Sequence, residues 1–351
     1  MLPNYRRTTV GCFVGIFIQA VATNLIPVLF VPMMRLYGLR YEQLGILVAV
    51  NFLSQVAVDL LFSKTIDRVG YRRITLPTCA IAIVGLGLFA LTPTLFPGAI
   101  FAGLLVATVV TAAASGLLEI TMSPIVAAVP GADKGPAMSL MHSFYAWGQV
   151  VTVLLTSLLL LVVGVENWRW IACGWLIVPL TALVLFLGAP MPDVVPAEKR
   201  QGMRQLLFQP FLLLCLVAIF SGAATELVMS QWSSTFMENG LGLPKLWGDM
   251  LGMCGFAAFM GMGRTLYGVL GSRLQMAKTC FFCAVLGVAC YLVTALCPVP
   301  ALSVAACALC GLGASLLWPG TIVIASEKYP LAGAWMFAIL AAAGDIGGSA
   351  A

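Results

Sequence analysis

The sequence predicts an all-α membrane protein of two helical bundles, the second of them incomplete. Of 351 residues, 61% are hydrophobic and only 9% charged, where a soluble chain carries roughly 25% charged residues. Mean hydropathy is +1.04. The apolar residues fall in continuous runs long enough for helices to cross about 30 Å of hydrocarbon, which takes about 20 residues each. One longer polar stretch, Pro192 to Gln205, separates six such runs from the rest.

The runs lie at 10–34, 42–62, 74–95, 98–128, 137–164, 168–189, 209–236, 248–268, 276–297, 299–325 and 331–351, which makes eleven. They are too long and too continuous for barrel strands, which alternate over about ten residues. The first run follows Arg6 and Arg7, exceeds a signal-peptide core and lacks a small-residue cleavage site, so a retained first span is expected. The organisation expected is a bundle over 1–190, a cytoplasmic linker over 191–208 and a second bundle of about five helices over 209–351. The chain stops where the eleventh run ends, so a truncated second bundle is expected.

Charge orients the spans. With the N-terminus in the cytoplasm, fourteen Lys and Arg fall in inside loops, Arg264 counted among them, and four outside: Arg35, Arg40, Arg169 and Lys245. That asymmetry follows the positive-inside rule and predicts a multi-pass protein of a bacterial-type cytoplasmic membrane, expected as a monomer in the lipid bilayer.

Several classes are excluded. The net charge of +5 comes from short clusters between apolar runs, not from a basic, aromatic-studded stripe, so nucleic acid is no partner. The eleven cysteines lie almost entirely inside apolar runs, where cysteine behaves as a small hydrophobe. Cys280 and Cys283 form a CxxC without a matching pair or histidine, so no metal is expected. There is no phosphate-binding loop and no hydrolytic constellation. The protein is expected to be no enzyme and to hold no cofactor.

The loop after the second run reads Ser63-Lys64-Thr65-Ile66-Asp67-Arg68-Val69-Gly70-Tyr71-Arg72-Arg73. It resembles the signature loop of the major facilitator superfamily: an acid–base pair, a turn glycine, then two bases. Gly268-Val269-Leu270-Gly271-Ser272-Arg273 resembles the weaker second copy, displaced by 205 residues. A repeat so placed points to two homologous halves. Physically, Asp67 can accept charge-assisted hydrogen bonds and Gly70 permits the tight turn. Asp67, Arg68, Gly70, Arg72, Arg73 and Arg273 are therefore candidates for a conformational latch, or for topology alone. A finer resemblance is to the fucose/glucose-galactose permease branch. It rests on Gly116-Leu117-Leu118-Glu119 with Ser123-Pro124, on His142-Ser143-Phe144 with Gly148, and on Leu317-Trp318-Pro319-Gly320-Thr321. The resemblance implies a major-facilitator fold and a sugar-like cargo. Thr23 and Asn24 stand where the branch has an acid in its first span.

A carboxylate at membrane depth costs roughly 2.5–3.5 kcal/mol on insertion scales and marks a functional interior. Glu119 ends a stripe of Thr108, Thr111 and Ser115 at helical spacing on one face. Asn51, Gln55 and Asp59 recur four apart; Asp59 is read as structural, near the loop bases. Gln19 and Asn24 add polar groups in the first run. Glu226 is the acid of the second half and shares a face with Ser230 and Ser233; Asp345 lies in a glycine-rich run. Proton-coupling candidates are thus Glu119, Glu226 and the lone histidine, His142, a residue type whose unperturbed pKa lies near physiological pH. Substrate-binding candidates are Gln19, Asn24, Asn51, Gln55, Trp232 and Trp318. Trp232 also fits an interfacial belt. The function expected is proton-coupled secondary transport of a small polar molecule by alternating access. Export of drug-like compounds is the alternative, and a non-transporting sensor or truncated remnant is the alternative of another class.

Overall fold

The computed structural model describes residues 4–62, 65–130, 133–193, 203–244 and 247–350. Among them are helices and turns and no strand. Lipid imposes this outcome, because an α-helix bonds every backbone N–H and C=O internally. In chain order the long helices are α1 (Arg6–Val28, followed by Phe30–Tyr37), α2 (Tyr41–Phe62), α3 (Tyr71–Leu95), α4 (Ile100–Ala128) and α5 (Lys134–Val163). α6 is stepped, with a 3-10 turn at Val165–Asn167 and helices Trp168–Gly174 and Ile177–Phe186. Then come α7 (Pro210–Asn239) and α8, a π turn at Gly248–Cys254 running into Gly255–Leu270. α9 (Met276–Leu296) precedes α10, whose halves Pro300–Ala314 and Leu317–Lys328 are separated by Ser315 and Leu316, and α11 is Ala334–Ser349.

Nine helices among the described residues are long and apolar enough to cross a membrane: α1 to α7, α9 and α10. The remaining two expected runs are α8, interrupted by its π turn, and α11. The regular part of each has 16 residues, about 24 Å at 1.5 Å per residue. The chain forms two compact units, Met1–Val129 with Val151–Val194, and Pro130–Val150 with Val195–Ala351. α5 thus gives its first half to the second unit and its second half to the first. Within the expected linker, 194–202 lie outside the described residues.

Helix packing inside each unit relies on glycine, as it does where lipid removes the hydrophobic drive between helices. In the first unit, a Cβ on Gly85 of α3 would sit 2.8 Å from the backbone N of Thr111 on α4. One on Gly116 of α4 would sit 3.1 Å from Asp59 Oδ1 and 3.2 Å from the carbonyl of Gln55 on α2. Trp168 is fully buried, with Nε1 donating to Tyr37 Oη at 3.0 Å and Phe89 edge-on at 5.5 Å. In the second unit, a Cβ on Gly311 of α10 would run into the Phe256 carbonyl of α8, and one on Gly347 of α11 into the Phe220 carbonyl of α7. Large apolar side chains such as Leu161, Val162, Phe281 and Phe282 stay exposed, as surfaces facing acyl chains do.

Candidate functional site

In the first unit the polar groups of α1, α2 and α4 converge. Gln19 on α1 donates from Nε2 to Glu119 Oε2 at 3.0 Å and to the Ser115 carbonyl at 3.1 Å. Glu119 is half-buried, whereas Thr108, Thr111 and Ser115 on its stripe are buried. Asn51 is buried beside a space no larger than one water molecule, between Leu25, Ile26, Leu86, Phe89, Thr108 and Thr111. Gln55 lies where Gly116 brings α2 and α4 together. Among the described residues, Gln55 Nε2, Thr108 Oγ1 and Ser115 Oγ are buried without a hydrogen-bond partner. Buried polar atoms are bonded about nine times in ten. The three lie on two neighbouring helices, α2 and α4. Asn24 is buried, and its amide donates to Ala20 O of its own helix at 2.9 Å. Asp59 is fully buried beside Gly116.

The second unit holds a group that the sequence reading misplaced. Arg264 is not a loop cation. It is 2% exposed within α8, and its Nη2 meets Glu226 Oε2 of α7 at 2.7 Å as a buried ion pair. Its Nε donates to the Ser315 carbonyl at 2.9 Å and its Nη1 to the His142 carbonyl at 3.2 Å. It lies inside the apolar run 248–268, not in the loop that follows. Physically it stays inside because one carboxylate and two carbonyls replace its water. Ser315 stands where α10 breaks, and Pro319 four residues on has no N–H for its carbonyl; Arg264 supplies that donor, while the Cys280 thiol lies 3.4 Å from Leu316 O, which also accepts from Gly320 N. The His142 side chain is buried, and its backbone carbonyl is part of this cluster. Trp318 lies against Gly344, leaving no room there for a Cβ, next to the buried Asp345. Trp232 is 55% exposed on α7, about 120° around the helix from Glu226.

The loop motif forms a turn at one end of the first unit. Gly70 has φ +83° and leads into α3, a conformation that favours glycine. Arg72 Nη2 donates to the carbonyl of Ala189, just past α6. Arg7 Nη2 reaches Val184 O at 2.5 Å, and Thr8 Oγ1 bonds Pro190 O. These donors satisfy carbonyls that a helix end leaves open. Arg68, Arg73 and, in the second unit, Arg273 are exposed. Ser63 and Lys64, and the side chains of Asp67 and Ser272, lie outside the described residues.

Known proteins agree with this architecture. The family model described as Major Facilitator Superfamily matches residues 12–351. The chain belongs to the Major Facilitator Superfamily. A facilitator protein is a multi-pass membrane transporter and not an enzyme. No curated protein matches the chain. Among solved structures it is similar to the transporter FucP in the outward conformation, with TM-score 0.80, 16% identity, 98% of this chain and 90% of that chain covered. FucP is described as an Escherichia coli fucose:proton symporter. It is also similar to the human organic anion transporter TETRAN (TM-score 0.80, 15% identity, 99% and 92% covered). A third likeness is to the proton:xylose symporter XylE (TM-score 0.80, 14% identity, 97% and 86% covered). At these identities the likeness speaks for the fold.

Proposed function

We propose that this facilitator carries a small polyhydroxylated solute by alternating access, coupled to protons, with Glu119 as a proton-binding group. The observation that carries the reading is the Gln19–Glu119 hydrogen bond beside the unsatisfied Gln55, Thr108 and Ser115. An amide is a neutral partner. It bonds the carboxylate, and it does not hold the acid ionised as a cation would. The unsatisfied amide and hydroxyls match the donors and acceptors of a sugar. The resemblance to symporters described for fucose and xylose supports both cargo and coupling.

The same reading assigns Gln19, Asn24, Asn51 and Gln55 to the solute path, with Trp232 and Trp318 as stacking surfaces. It gives Glu226 and His142 the second half's share in coupling. Eleven spans form bundles over 1–190 and 209–351 joined by 191–208, with the N-terminus in the cytoplasm of a bacterial-type cell and the protein acting as a monomer. Asp67, Arg68, Gly70, Arg72, Arg73 and Arg273 act as the latch. The test is Glu119→Gln in proteoliposomes, with L-fucose and D-xylose as first probes. Accumulation against a gradient is expected to vanish while counterflow exchange persists. Undiminished proton-driven accumulation removes Glu119 from the mechanism.

A further inference from the structure

Arg264 is a deeply buried cation with an unusual division of labour among its partners. Two backbone carbonyls, Ser315 O and His142 O, pin its Nε and Nη1. Ser139 Oγ donates to the Arg264 carbonyl at 2.7 Å and fastens α8 to α5. The guanidinium is therefore held from α5 and α10, with Nη2 turned to α7. Glu226, by contrast, is held through one oxygen: Oε2 meets Nη2 at 2.7 Å, and Oε1 takes no bond among the described residues. The Glu226 side chain is 9% exposed and that of Arg264 2%. The cation is rigid and the acid is the looser partner.

A fold staple does not account for this well. Buried ion pairs add little net stability over apolar side chains of the same volume, and ionisable groups at membrane depth go with transport paths. We propose that Arg264 binds a carboxylate of the cargo, which displaces Glu226, so that the transported molecule is a small hydroxylated acid of the sugar-acid type. This rests on the transport reading above and specifies its cargo. Guanidinium and carboxylate pair through charge-assisted hydrogen bonds, and Nη2 is the nitrogen without a backbone partner among the described residues. Exchanging one carboxylate for another keeps the buried cation compensated throughout. A neutral sugar offers only hydroxyls and leaves the charge stranded, at heavy cost. Ser230 and Ser233 share the Glu226 face of α7, one and two turns on, and Ser233 Oγ is buried without a partner among the described residues.

The test uses the purified full-length protein and its melting temperature with D-gluconate, D-glucuronate or D-glucose. The two acids are expected to raise it by about 2–4 °C at saturating concentration, and glucose to leave it unchanged. In Glu226→Ala, formate is expected to restore a lowered melting temperature, by filling the place beside Arg264, where equal sodium chloride does not. Glucose stabilising as well as the acids, or formate acting no better than chloride, overturns the proposal. Should Glu226→Ala not fold, the wild-type acid–sugar comparison decides alone. Counterflow in proteoliposomes separates this idea from the one beneath it. Exchange of neutral sugars with no exchange of acids sinks the carboxylate site and leaves transport standing. Stabilisation by acids with no exchange of any probe sinks the transport reading and leaves the site.

Discussion

In each unit an acid meets a donor on a neighbouring helix, and the donors differ in kind. Glu119 has the neutral amide of Gln19; Glu226 has the guanidinium of Arg264. An amide bonds an acid without fixing its charge. A buried guanidinium demands an anion, because either member left alone is an uncompensated charge out of water. The first arrangement suits a group that trades protons and the second a group that trades anions, the division of roles between the two units that we propose.

The largest expected effect breaks the comparison outright if it fails. Arg264→Leu strands Glu226 and is expected to cost about 3–5 kcal/mol in denaturant unfolding, with most of it recovered by Arg264→Leu combined with Glu226→Leu. Next come the close approaches between helices within each unit. Gly311→Ala drives a methyl into the Phe256 carbonyl and is expected to cost about 1–3 kcal/mol. At Gly116 the nearest atoms stand at 3.1–3.3 Å and alanine favours helix, so Gly116→Ala is expected to stay within about 1 kcal/mol of wild type. The same unfolding measurements rank both. Smallest is Gln19→Leu, which removes a neutral donor and is expected to cost about 0.5–1.5 kcal/mol. A Gln19 effect as large as that of Arg264 would erase the distinction between the halves.

Much of the fold was legible because lipid leaves the backbone so few choices. Runs of membrane length became helices, and the Thr108–Glu119 stripe was readable because its members share one helix and one period. Contacts between helices carry no such local mark. Nothing in the sequence near Gln19 announces Glu119, 100 residues away, nor does Glu226 announce Arg264. Hydropathy also hides irregular backbone. The π turn of α8 and the break at Ser315 lie inside apolar runs whose composition does not change across them. Asn24 bonds its own helix through one amide N–H, a local competition that side-chain identity does not reveal.

The wide turn at Gly248–Cys254 has a consequence for how this gene can tolerate change. A π turn holds one more residue than the α-helix around it needs, so it is slack in the chain. Losing a single codon there is expected to tighten the turn and leave the rest of α8 in register. Losing one between Gly255 and Arg264 instead swings everything on one side of it by about 100° relative to the other, carrying the guanidinium away from its carbonyls. Insertions and deletions in natural variants of this chain should therefore collect in that seven-residue stretch and avoid the helix that follows.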